Sequence, residues 1–131
     1  MRYFFLIAIL SCFFETSAQM KASFTQLQVQ RFSCGGQDSM NISIYNDNGI
    51  FSAYYKGDGS NGVKELTIEK MSDSQIEAFQ KFTKTLKKIR QKSGCTSHYF
   101  YTLLQDGKKF EKFDGGCEWY GIERLIEELS K

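Results

Sequence analysis

The chain has no proline, one histidine and one tryptophan in 131 residues. Without proline there is no polyproline linker and no proline-rich recognition tail. A single histidine, His98, leaves little material for a nucleophile–base–orienter set or for a histidine-rich metal site. Phosphate cradles are missing too. The glycines of Gly57-Asp58-Gly59-Ser60-Asn61-Gly62 neither follow a buried parallel strand nor open a helix, as phosphate binding requires. Neither sign of charge dominates, with 17 Lys and Arg against 15 Asp and Glu and a formal net charge of +2. The basic residues gather on one helix, the usual pattern of a solvated face, so nucleic acid is not an expected partner. Beyond the N-terminus no apolar run approaches the ~20 residues that span a bilayer.

The N-terminus itself is apolar from Phe4 to Phe14, preceded by Arg2 and followed by the small residues Thr16 and Ala18. This order is that of a secretory signal peptide cut after Ala18. The expectation is therefore a leader over 1–18 and one domain over 19–131, secreted or periplasmic, of about 110 residues, enough for one modest core. A competing possibility is that Ile9-Leu10-Ser11-Cys12 serves as a lipoprotein box with Cys12 bearing a lipid anchor. Leu10 is atypical there, and Phe13 and Phe14 make a poor tether.

Hydrophobic spacing assigns the elements. The stretch from Ser72 to Gly94 places Ile76, Phe79, Phe82, Leu86 and Ile89 at steps of three and four, a long amphipathic helix. Ser72 with Gln75 fits a capping box and Met71 with Ile76 a hydrophobic staple. Lys21–Cys34 alternates Leu27 and Val29 with glutamines, and Val63–Lys70 alternates Leu66 and Ile68 with Glu65, Thr67 and Glu69, so both read as half-buried strands. Met40–Tyr45 and Ile50–Tyr55 flank Asn46-Asp47-Asn48-Gly49, a hairpin whose turn residues tolerate positive φ. That hairpin puts Met40, Ile42, Ile44, Phe51, Ala53 and Tyr55 on one side and Asn41, Ser43, Ser52 and Tyr54 on the other. A second hairpin, His98–Leu104 with Lys108–Phe113, turns at Asp106-Gly107, and Trp119–Lys131 carries a shorter stripe of Ile122, Leu125, Ile126 and Leu129. The order β-β-β-β-α-β-β-α implies an α+β domain, a meandering antiparallel sheet of about six strands with both helices on one face.

Export permits disulfides, and the three cysteines beyond the leader are Cys34, Cys95 and Cys117. With Asp106-Gly107 as a two-residue loop, Cys95 and Cys117 fall at the open end of the second hairpin, one residue out of register. That is close to the ~5.5–6 Å Cα separation a disulfide prefers, so they are the favoured pair, with Cys34 as the odd thiol. The rival pairs Cys34 with Cys95 or Cys117. Other chemistry is thin. A Cys–His dyad would need one of those hairpin thiols to be free. Zinc would have one close-spaced ligand pair, Cys95 and His98, where zinc modules carry two. The Lys56–Gly62 loop departs from an EF-hand at its glycine position. Two carboxylates, Asp114 and Glu118, could flank the hairpin mouth, but a domain this small has little room for a glycosidase cleft. No cofactor or metal is called for.

What remains is surface. Tyr54, Tyr99, Tyr101, Trp119 and Tyr120 are expected on the sheet face or rim away from the main helix, where rigid amphipathic rings serve as binding anchors. The leading expectation is a non-enzymatic exported protein that contacts another exported or cell-surface protein, of inhibitor or immunity type. The alternatives are a small hydrolase or thiol enzyme using His98, and a carrier of a small apolar ligand held between sheet and helix.

Overall fold

Two tight reversals set the frame of the molecule. In a computed structural model, which describes residues 22–59, 62, 64–90, 94–116 and 121–131, Asn48 and Gly49 take φ of 51° and 86°, and Asp106 and Gly107 take 52° and 72°. Positive φ at both central residues gives turns whose twist matches the flanking strands. They close the hairpins β2 (Gly36–Asp47) to β3 (Ile50–Asp58) and β5 (His98–Gln105) to β6 (Lys108–Asp114). Asp47 then faces Ile50 and Gln105 faces Lys108, the second being the register expected from the Asp106-Gly107 loop.

The remaining elements are β1 (Ser23–Ser33), β4 (Lys64–Ile68), α1 (Asp73–Lys88) and α2 (Gly121–Leu129). All six strands are antiparallel in one sheet of order β4-β3-β2-β1-β5-β6. The first four form a meander, but β5 does not follow β4 at its edge. Instead α1 carries the chain back across the sheet, and the second hairpin adds beside β1. The dimensions permit this. Sixteen helical residues span roughly 24 Å, and the four strand spacings from β4 to β5 amount to about 19 Å.

One core lies between the sheet and the two helices. Leu27, Val29, Ile42, Ile44, Ala53, Tyr99, Tyr101 and Leu103 from the strands meet Phe79, Phe82 and Leu86 of α1 and Ile122, Leu125 and Leu129 of α2. The alternation of β1 and β2 puts these residues on one face, since strand side chains point alternately to either side. Tertiary packing also joins the helices to each other.

The start of α1 is as expected. Ser72 is the N-cap, its hydroxyl accepts from the Gln75 backbone N–H, and the Gln75 side chain returns to the Ser72 N–H. The end differs: the helix stops at Lys88 with Ile89 as C-cap in an extended conformation, φ −58° and ψ 135°, rather than running on to Gly94. Lys84, Lys87 and Lys88 sit three and four residues apart with no acid to complement them in the next turn, so continuation would stack like charge. Ile89 packs half-buried against the core from its extended conformation.

Candidate functional site

No described element packs on the sheet face opposite the helices. The strand registers show what it carries. One row runs Tyr54, Ser43, Gln26, Leu104; the next toward the turns runs Ser52, Tyr45, Phe24. Toward the opposite end of the strands lie Phe100 beside Phe113, and Phe32 beside His98. The large hydrophobic residues that remain exposed are Phe24, Phe32, Tyr45, Ile50, Tyr54 and Leu104. By strand parity every one of them projects from this open face.

The turn-end patch is the more continuous part. Phe24 and Tyr45 pack with ring centroids 5.0 Å apart, while Tyr45 stays half exposed. Tyr54 and Leu104 flank it across three strand spacings, about 14 Å. Between them Ser43 is buried and Gln26 donates its amide to Asn41 Oδ1 at 3.3 Å. The open face thus combines a few aromatic rings with polar residues such as Gln26, Asn41 and Ser43. Asn41, the acceptor residue of an Asn-Ile-Ser glycosylation triplet, stands in the middle of this face.

Of the tyrosines expected there, Tyr54 is on the open face. Tyr99 and Tyr101 are not: they point into the helix layer, 8% and 0% exposed. β5 reads His-Tyr-Phe-Tyr-Thr-Leu-Leu-Gln, apolar on both parities, so alternation alone leaves its facing open. Tertiary partners decide it. Tyr101 packs against Phe82 at 6.1 Å between centroids, and the Tyr99 hydroxyl donates to Glu123 Oε1 of α2. Trp119, Tyr120 and Cys117 lie outside the described residues, as do Cys12 and the whole 1–18 segment expected as a leader. Cys34 is an exposed free thiol, and the Cys95 N–H donates to the Gly115 carbonyl at 2.9 Å.

A polar cluster that spacing did not disclose closes one end of the core. Arg31 of β1 pairs with Asp38 of β2, its directly opposed residue, and Tyr99 of β5 opposes Arg31 on its other side. The signal was present in the Cys34-Gly35-Gly36 turn, because folding β1 back across it sets Arg31 against Asp38. Burial, then the hydrogen bond to Glu123, push the Tyr99 phenol up to about 12; burial raises Tyr101 too. Asp114, 3% exposed, accepts from the Gly116 N–H at 2.9 Å, and its other oxygen is buried without a partner among the described residues. Gly57, Asp58 and Gly59 lie beside this end. A Cβ on Gly57 would overlap the Tyr55 hydroxyl, and one on Gly59 would overlap the Asp38 carboxylate. A side chain at either position would have to displace the Tyr55 or the Asp38 side chain.

The chemistry expected of other residues finds little support in the geometry. His98 stacks on Phe113 at 5.5 Å with its Nδ1 buried and unbonded among the described residues, so its ring is engaged in packing. Among the described residues no group of three or more His, Cys, Asp or Glu could hold a metal ion. The cavity between sheet and α1, about 170 Å³, falls short of the ~300 Å³ at which ligand pockets begin. A larger depression of about 570 Å³ between α1 and α2 is rimmed by Glu77, Lys81, Arg124, Glu127 and Glu128, the mixed charges of two outward helix faces. No described helix is long and apolar enough to cross a membrane.

The fold thus defines an α+β protein with a two-helix layer on one face of a six-stranded antiparallel sheet and an aromatic-bearing face left open. No protein-family model, curated protein or solved structure matches the chain, so the geometry alone carries the functional argument.

Proposed function

We propose that the protein is an exported binding protein that acts by protein–protein contact, of inhibitor or immunity type, with the open sheet face as its contact surface. The observation that carries the reading is the one-sidedness of the exposed apolar residues: all six project from the face that no described element covers. Scattered exposed hydrophobics are ordinary, but a contiguous patch of them marks an interaction site. Export rests on the leader-like N-terminus, and with it comes a Cys95–Cys117 disulfide stapling the base of the β5–β6 hairpin. That pairing is supported by the register of the hairpin and by the Cys95–Gly115 backbone bond that draws its ends together.

The test is capture from the native periplasm or culture fluid by immobilised full-length mature chain, side by side with a Tyr54→Ser/Leu104→Ser variant. A defined protein retained by the wild type and lost with the variant is the expected result. A partner held equally by both would refute the face, and no partner together with turnover of a substrate would refute the reading.

A further inference from the structure

Lys87 ties the last turn of α1 to the second hairpin. Its ammonium lies 2.6 Å from Gln105 Oε1 and 4.7 Å from the centre of the Phe110 ring. This contact fixes the neighbourhood of four more lysines. Lys84 and Lys88 are within one turn of Lys87 on the outward arc of the helix, away from the buried Phe79, Phe82 and Leu86. Lys108 is the cross-strand partner of Gln105. Lys112 follows Phe110 by two residues and so stands on the same, helix-facing side of β6.

None of these five lysines forms an ion pair among the described residues, where the pairs are Arg31–Asp38, Lys56–Glu65, Lys109–Glu111 and Lys131–Glu128. Five of the 17 basic residues are gathered here with one of the 15 acidic ones, Asp106 of the intervening turn, so the edge carries a formal +4 and the rest of the chain −2. A nearly neutral protein therefore presents one strongly positive edge. Unpaired ammonium groups held side by side repel one another, and an external anion relieves that repulsion.

We propose that this edge docks on an anionic phospholipid bilayer. The five cations gathered around Lys87 are lysines, flexible and strongly hydrated point charges that suit laterally mobile headgroups; arginine's planar fork suits fixed, bidentate phosphates. The ring within it, Phe110, is half-buried under Lys87, so the patch has no free aromatic on which nucleic-acid bases could stack. An outward helix arc and an edge strand form a projecting surface that a planar bilayer can meet. Docking by this edge leaves the opposite, aromatic face of the sheet clear, and the inference stands whether or not that face binds a protein.

The experiment is co-sedimentation of the full mature chain with vesicles of phosphatidylcholine plus phosphatidylglycerol, and with phosphatidylcholine alone, over a range of salt. Binding is expected to the anionic vesicles only, weakening as salt shortens the Debye length from about 30 Å at 0.01 M to about 8 Å at 0.15 M. The Lys84→Gln/Lys88→Gln/Lys108→Gln variant loses on the order of 100-fold in affinity, about fivefold per lysine near such a surface. Lys109→Gln, which removes a lysine already paired with Glu111, leaves binding unchanged. Equal binding to neutral vesicles, a triple variant that binds like the wild type, or retention on duplex DNA or heparin with none on the anionic bilayer would each overturn the proposal.

Discussion

Gln75 offers a sharp test of how the two helices are held. Its side-chain oxygen accepts the Ser72 N–H at 2.9 Å and its amide nitrogen donates to the Leu129 carbonyl at 3.2 Å, a buried bond across 54 residues of chain. One side chain thereby satisfies a free donor at the start of α1 and a free acceptor at the end of α2. Gln75→Ala removes both. The lost half of the capping box costs about 1 kcal/mol, and a buried carbonyl left unpaired costs about 1–3 kcal/mol, giving a loss of about 2–4 kcal/mol. Urea unfolding checks this: with m near 1–3 kcal/mol per M for a domain of this size, the midpoint should fall by on the order of 1–2 M at unchanged m. Gln75→Glu separates the two roles. It keeps the acceptor for Ser72 and places a favourable negative charge at the helix N-terminus, but sets a carboxylate oxygen against the Leu129 carbonyl. It should still destabilise by about 1 kcal/mol or more. A Gln75→Ala protein within ~0.5 kcal/mol of wild type, or a Gln75→Glu protein more stable than wild type, would refute the brace.

Gly59→Ala should cost about 1–3 kcal/mol in a thermal or urea melt, because the new methyl displaces the Asp38 carboxylate from its place beside Arg31; a neutral effect would show that the loop yields freely. Tyr54→Ser and Leu104→Ser remove side chains that are 36% and 37% exposed and should each cost about 1–2 kcal/mol through lost cross-strand packing and strand propensity, so a loss of more than about 3 kcal/mol would mean the face is covered. Stability should be level with respect to the core tyrosines below pH 10 and fall as pH rises from about 10 to about 12. In that window the unfolded chain releases phenolic protons that Tyr99, held up to about 12, and Tyr101 retain in the fold. Urea melts across that range check it, with Tyr99→Phe expected to flatten the fall. Thiol titration of the native mature chain should find Cys34 reactive, and Cys95 and Cys117 reactive only after reduction; three reactive thiols in the native protein would dispose of the staple.

Much of the architecture was readable from local pattern because its causes are local. Asn48-Gly49 and Asp106-Gly107 accept the backbone angles a two-residue hairpin needs, and each such turn dictates the pairing of both strands beside it. Ser72 and Gln75 are three residues apart and complete their capping box within one turn. The facing of β2 and β3 followed because only one parity is apolar. Where both parities are apolar, as in β5, the pattern carried no facing information, and the two tyrosines assigned to the open surface lie in the core.

The amino-acid order alone determined which segments become strands and helices, where the two hairpins turn, and that a two-helix layer would cover one side of an antiparallel sheet. The elements and their turns depend on residues close in sequence, and the layer on the apolar stripes that the helices and strands carry. Only the tertiary structure decided that α1 returns the chain to β1, that Arg31, Tyr99 and Glu123 close one end of the core, and that lysines 20 and more positions apart share one edge. It also settled which face keeps the exposed rings. These follow from how far a helix reaches across a sheet and from which polar groups find partners once water is excluded, and neither is written in any short window of sequence.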